Sequence, residues 1–269
     1  MLNKPADQYA EALFQADLNR QQIPLISAAE PAMTMDDAYG IQDALTARWK
    51  SHGSRQVGWK IGLTSRAMQQ ALNIDIPDSG ILFDHMVYAD GATIPSDRFI
   101  ELRMEAEIAF VMKTDLCGPD CTPAQVAAAT AYVAPSIELL DTRIVRQDAA
   151  TGKQRTVLDT ISDNAANAGV ILGQQQHAVD AVDLGRVGAA VTRNGVVEET
   201  GLGCGVLGDP LISMAWLANR LAAYGQKISA GDIVLSGSFI RPIECPPGTE
   251  IRADFGAFGR VDLRFDFRV

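Results

Sequence analysis

The polar and apolar positions of Ile100-Glu101-Leu102-Arg103-Met104-Glu105-Ala106-Glu107-Ile108-Ala109-Phe110-Val111 alternate as in a β-strand. One face carries Glu101, Arg103, Glu105 and Glu107, the other Leu102, Met104, Ala106, Ile108 and Phe110. A second alternation closes the chain. Val261, Leu263, Phe265, Phe267 and Val269 against Asp262, Arg264, Asp266 and Arg268 predict a half-buried antiparallel strand. Shorter runs predict strands at 56–63, 132–140 and 167–172, and Asn194-Gly195 between Val191 and Val196 predicts a hairpin. Helical spacing comes first in the chain, with Tyr9, Leu13, Phe14 and Leu18 on one stripe and a second helix at 35–50. Thr34 with Asp37 three residues on forms a capping box for the second. Further helices are expected at 67–72, 123–130 and 210–224, the last with Asp209 as N-cap and Pro210 at its first position. Ile76-Pro77-Asp78-Ser79-Gly80 reads as a turn. Helices followed by strands predict an α+β fold, with a small mainly helical region at 1–75 and a β-rich domain at 76–269.

Composition narrows the function. The 269 residues, 47% hydrophobic, are enough for a sizeable core. No apolar run reaches the ~18 residues of a membrane span, and no basic segment leads into an apolar one at the start, so a cytoplasmic protein without membrane contact is expected. Cys117, Cys121, Cys204 and Cys245 lack zinc-type pairing and read as reduced thiols. A net charge of -10 without clustered Lys and Arg argues against nucleic acid. The same charge opposes an anionic substrate, which would need a local cation or a few aimed basic groups.

Three features carry candidate chemistry. Glu105 and Glu107 share one face of their strand, where like charges cost about 4 kcal/mol at roughly 4 Å and an effective dielectric of about 20. A hard divalent cation would relieve them, while the plainer alternative is a solvated face balanced by Arg103. In Val57-Gly58-Trp59-Lys60-Ile61-Gly62-Leu63, Lys60 stands on one face between two glycines, open to a ligand. An apolar setting would lower its pKa and suit it to proton transfer; the alternatives are a lysine reaching solvent, or glycines marking a bulge. Glu138 interrupts the apolar strand Ser136-Ile137-Glu138-Leu139-Leu140, and is either ion-paired to Arg143 or Arg103 or a third metal ligand. Gly203-Cys204-Gly205-Val206-Leu207-Gly208 matches a dinucleotide fingerprint only formally, because it follows a hairpin instead of opening a βαβ unit. Three histidines and no G-x-S-x-G elbow give no nucleophilic triad.

Together Gly58-Trp59-Lys60-Ile61-Gly62-Leu63-Thr64-Ser65, Arg103-Met104-Glu105-Ala106-Glu107, Glu138 and Asp159-Thr160-Ile161-Ser162-Asp163-Asn164-Ala165-Ala166-Asn167-Ala168-Gly169 resemble the hydratase and decarboxylase family of aromatic meta-cleavage pathways, within the fumarylacetoacetase-like superfamily. The resemblance runs from about residue 10 to the C-terminus. The segments 162–173 and Gly237-Ser238-Phe239-Ile240-Arg241-Pro242 most resemble a hydratase member acting on a dioate. The resemblance implies a mixed, mostly antiparallel β-roll with flanking helices, a homo-oligomer, and association with a neighbouring pathway enzyme. It implies Glu105, Glu107 and Glu138 as ligands of magnesium, with manganese as an alternative, and Lys60 and Asp78 as catalytic residues. The implied reaction adds water to a 2-hydroxy-2,4-dienoate to give a 4-hydroxy-2-oxo acid. A second carboxylate on the substrate would suit an arginine, with Arg66, Arg143 and Arg241 as unranked candidates and Ser162 as a further substrate contact. Rival readings are decarboxylation of a 2-oxo-3-enedioate by the same site, carbon-carbon hydrolysis, which needs a His-Glu pair, and a non-catalytic cation-binding β-domain.

Overall fold

A computed structural model describes residues 2–71, 74 and 76–267. The helices are α1 (Ala6–Asn19), α2 (Ile26–Ala29), α3 (Met35–Ser51), α4 (Arg66–Ala71), α5 (Pro123–Ala129), α6 (Val157–Ser162) and α7 (Pro210–Ala222). The strands are β1 (Gln56–Gly62), β2 (Asp78–Phe83), β3 (Val87–Tyr88), β4 (Thr93–Ile94), β5 (Arg103–Met112), β6 (Thr130–Leu140), β7 (Asn167–Leu172), β8 (Gly188–Arg193), β9 (Val196–Leu202), β10 (Ile233–Ser238), β11 (Ile243–Glu244), β12 (Glu250–Asp254) and β13 (Arg260–Phe265). The larger sheet runs β2-β1-β10-β5-β6-β7-β3, with β11 against β5, and the smaller runs β4-β13-β12-β8-β9. Pairing is antiparallel except where β1 meets β10, β3 meets β7 and β4 meets β13. This is the α+β, mostly antiparallel architecture with flanking helices. No helix among the described residues is long and apolar enough to cross a membrane.

Local chemistry explains the element starts. Thr34 and Asp37 form the capping box of α3, Thr122 and Gln125 form one for α5, and Asp209 accepts from the Leu211 N–H at 2.8 Å to cap α7. The Asn194-Gly195 hairpin joins β8 to β9 with both turn residues at positive φ, as a two-residue turn of the I′ type requires. One contiguous apolar core joins the helices through Leu13 and Leu45, the large sheet through Ile61, Phe110 and Ile137, and the small sheet through Ile251 and Phe265.

Two local expectations change, and one helix is added. The segment read as a turn at 76–80 instead opens β2 at Asp78, because its backbone pairs with β1 in the register Gly62↔Asp78 and Lys60↔Gly80, and sheet pairing overrides turn composition. The closing strand ends at Phe265, whose last rung is Ile94 of β4, so Phe267 leaves the sheet and is 77% exposed. Its expected continuation through Arg268 and Val269 lies outside the described residues, as does Leu72 at the end of the helix expected at 67–72. Helix α6 was not legible from periodicity; it is a short helix whose start is fixed by Asp159 accepting from Thr156 N and Oγ1 at 2.9 and 3.0 Å.

Candidate metal and active site

Register brings the acidic residues together. Strands β5 and β6 pair Glu105 directly with Glu138 and Glu107 with Ser136, while Ser238 of β10 faces Glu107 from the other side. One carboxylate oxygen from each of Glu105, Glu107 and Glu138 lies within 4.8 Å of the others. Glu107 and Glu138 are fully buried. The backbone N–H of Gly237 donates to Glu107 Oε2 at 2.8 Å, whereas Glu107 Oε1 has no hydrogen-bond partner and Glu138 Oε1 meets the Lys60 ammonium at 3.3 Å. Burial, then the neighbouring Glu138, pushes the Glu105 carboxyl up to about 8; burial and the other two glutamates push Glu107 well above the carboxylate range, and burial raises Glu138. Buried, crowded carboxylates with orphaned oxygens are an all-oxygen donor set, which fits a hard divalent cation such as magnesium or manganese.

Lys60 is the basic partner of this cluster. Its Nζ lies 3.3 Å from Glu138 Oε1. The expected partners of Glu138 are engaged elsewhere: Arg103 pairs with Glu244 at 2.6 Å, and Arg143 is buried against Asp163. The two glycines beside Lys60 have different roles. Gly58 marks a bulge, where the β1–β2 register shifts. At Gly62 a Cβ would lie 2.2 Å from Asp78 Oδ1 and 3.1 Å from Lys60 Nζ, so only glycine lets these two groups approach the strand. Burial alone would lower the Lys60 pKa, as the apolar setting suggested. Glu138, then Asp78, Glu105 and Glu107, outweigh it and hold the ammonium above the ordinary lysine range. Asp78 is also buried, and burial raises its carboxyl despite Lys60.

Lys60, Asp78 and Glu105 open onto a cavity of about 540 Å³. Its wall also carries Thr64 and Ser65 after β1, Ser238 and Phe239 at the end of β10, and four arginines, Arg103, Arg146, Arg155 and Arg241. Among the substrate-contact candidates only Arg241 lies on this wall, where Glu199 holds it at 2.5 Å. Arg66 is exposed at the start of α4, off the wall. Ser162 is buried with its hydroxyl donating to the Leu158 carbonyl at 2.8 Å. Arg143 donates from its backbone to Asp163 Oδ2 at 2.8 Å, from Nε to Oδ1, and from Nη2 to the Asp163 and Asn167 carbonyls at 3.0 and 3.3 Å. None of the three histidines lines the cavity, so no His-Glu pair faces it.

Behind the wall, Asn164, Ala165 and Ala166 all have positive φ, a conformation alanine disfavours by roughly 1–2 kcal/mol per residue. Asn164 holds this turn to β2, accepting from Ile81 N at 2.8 Å and donating to Ile81 O at 2.9 Å. Ala165 and Ala166 line the cavity, so the strained backbone shapes it directly. Sequence reading passed over Arg146, Arg155, Thr64 and Ser238. The first two lie in an irregular loop without periodicity, and the other two sit within motifs noted only for their resemblance.

No family profile matches the chain. Full-length relatives do. It is 47% identical over 256 residues to 2-oxo-hept-4-ene-1,7-dioate hydratase of Escherichia coli, covering 95% of this chain and 96% of the relative. It is 35% identical over 256 residues to 4-oxalocrotonate decarboxylase of Pseudomonas sp. (strain CF600), with 95% of each chain covered. It is 35% identical over 266 residues to 2-keto-4-pentenoate hydratase of Paraburkholderia xenovorans (strain LB400), covering 99% and 97%. Among solved structures, 4-oxalocrotonate decarboxylase from Pseudomonas putida G7, complexed with magnesium and adipate, superposes with a TM-score of 0.92 at 33% identity over 98% of each chain. A fumarylacetoacetate hydrolase from Exiguobacterium antarcticum shares the fold alone, with a TM-score of 0.59 at 14% identity over 80% of this chain and 76% of the other.

Proposed function

Since the chain belongs to the hydratase and decarboxylase family of the fumarylacetoacetase-like fold, we propose that it is a divalent-metal-dependent hydro-lyase. It adds water to a 2-hydroxy-2,4-dienoate, with 2-oxo-hept-4-ene-1,7-dioate as the substrate. The observation that carries the choice is the 47% identity over 95% of the chain to the Escherichia coli hydratase, against 35% to the decarboxylase.

In this reading Glu105, Glu107 and Glu138 hold magnesium or manganese. When bound, the cation supplies Lewis acidity at the 2-oxygen and a template for the substrate's C1 carboxylate. The remaining work falls to the chain's own groups. Lys60, kept protonated by its acidic neighbours, donates toward the C2 oxygen and favours the charge that builds there. Asp78, buried beside Gly62 and Lys60, is the group placed to take a proton from water as its oxygen bonds to C4, and to return a proton to carbon. The proton of the substrate's 2-hydroxyl passes to C5 as the dienol ketonises, and water supplies the C4 hydroxyl and the hydrogen at C3, which balances the 4-hydroxy-2-oxo product. Phe239 and Ile240 give the cavity wall an apolar stretch.

The reading extends to a homo-oligomeric cytoplasmic enzyme that associates with a neighbouring pathway enzyme. Val196, Val197 and Leu202, exposed along the edge strand β9, offer apolar surface to a second copy.

The test uses EDTA-stripped protein and freshly generated 2-hydroxyhepta-2,4-dienedioate. Magnesium should restore loss of the ultraviolet diene band without carbon dioxide release. No metal-dependent loss would overturn the hydratase, and carbon dioxide release from a 2-oxo-3-enedioate would replace it with the decarboxylase.

A further inference from the structure

Four arginines reach the cavity wall, and three are already neutralised: Arg103 by Glu244 at 2.6 Å, Arg146 by Glu101 at 3.0 Å and Arg241 by Glu199 at 2.5 Å. Arg155 differs. It forms no salt bridge among the described residues, and its Nη1 is buried without a hydrogen-bond partner. Asp163 and Asp159 act on it only through longer-range attraction, while Arg146 and Arg103 repel it. A guanidinium stays charged even when part of it is buried, so its unmatched nitrogen favours an anion beside it.

The backbone that presents Arg155 is fixed on both sides. Residues 146–155 fold back on themselves: Gln147 bridges Gln154, and Arg155 N donates to the Arg146 carbonyl at 2.8 Å. The Asp148 carboxylate ties the tip by accepting from Ala150 N at 3.0 Å and from Thr151 N at 2.7 Å. On the other side Thr156 is locked into the start of α6 by Asp159, which also accepts from Ser27 N and Oγ at 2.9 and 2.5 Å. An arginine on a cavity wall whose backbone is held on both sides and whose guanidinium has no carboxylate partner among the described residues is a preorganised carboxylate receptor.

We propose that Arg155 binds the distal carboxylate of a dicarboxylate substrate and so sets the preference of the site for dioates over monoacids. This rests on the hydratase reading, whose cation and Lys60 take the C1 end. It also explains how a chain with a net charge of -10 accepts a dianion: the cavity meets each end of the substrate with its own positive group.

The decisive measurement compares Arg155→Met and Arg155→Lys with the parent protein, in magnesium, on a 2-hydroxydienedioate and on 2-hydroxypenta-2,4-dienoate. The ratio of kcat/KM for the dioate to that for the monoacid should fall about 100-fold in Arg155→Met, mostly through KM for the dioate, with only part recovered by the fork-less lysine. An unchanged ratio overturns the assignment. If the parent protein turns over neither substrate, the hydratase reading has failed, and calorimetry with the unreactive 2-oxoheptanedioate and 2-oxoheptanoate decides Arg155 separately. Tens-fold weaker binding of the dioate alone in Arg155→Met supports it. Equal loss for both ligands, no loss, or a parent protein that binds the two equally overturns it.

Discussion

At the scale of single residues, the site depends on an absent side chain as much as on those present. Lys60 and Asp78 converge because Gly62 has no Cβ to occupy the space beside Asp78 Oδ1. Gly62→Ala should cut turnover by about 100-fold or more, since displacing a catalytic group by even 1 Å has that order of effect. The same variant should keep its melting temperature within a few degrees, because the atoms it displaces are the ends of side chains and not the backbone. Parallel loss of activity and of near-ultraviolet circular dichroism would show that Gly62 serves folding instead. The residues Glu105, Glu107, Glu138 and Lys60 could be singled out from sequence because charge in an apolar strand is costly and therefore informative. Arg155 could not: arginine in a polar loop is ordinary, and its lack of a partner appears only once its neighbours' ion pairs are known.

At the scale of elements, the buried pair Arg143–Asp163 clamps the end of β6 to the turn that carries Asn164, Ala165 and Ala166. The Arg143 side chain also lies 5.6 Å from the Trp49 ring of α3, so one guanidinium ties helix, strand and turn together. Burial opposes its charge, but Asp163 dominates and raises its pKa further. Arg143→Met would leave Asp163 buried and unpaired, at a cost of roughly 3–5 kcal/mol, and should lower the melting temperature by roughly 10 °C. Arg155→Met, which breaks no ion pair, should change it far less; equal losses in calorimetric scans would contradict the division between an arginine that builds the fold and one that meets substrate. Long alternating and helical segments were legible at this scale, as were Asn194-Gly195 and the Thr34 cap, because each is decided by interactions within a few residues. Strand β2 was not, since Pro77-Asp78-Ser79-Gly80 has turn composition and becomes a strand only through the edge that β1 provides.

At the scale of the whole molecule, folding itself assembles the acidic cluster, so a cation should bind the native state and not the unfolded chain. Magnesium at 100 times its Kd should stabilise the protein by about 2.7 kcal/mol, raising the melting temperature by roughly 5–10 °C. Glu107→Gln should abolish that shift together with metal-dependent turnover. It should melt no lower than the parent in EDTA, because one of three mutually repelling buried carboxylates is gone. A magnesium shift that survives the substitution would place the cation elsewhere.

The sequence by itself determined the periodic elements, their caps, the α+β class and the charges too costly to be accidental, because each depends on the residue and its near neighbours along the chain. The tertiary structure decided which of those charges meet. Glu105 faces Glu138 only in the register adopted by β5 and β6, and a shift of one residue would turn one of them to the opposite face. The same holds for the arginines: Arg143 is spent on Asp163, and Arg155 has no ion pair among the described residues, because packing across distant segments, not local pattern, distributes their partners.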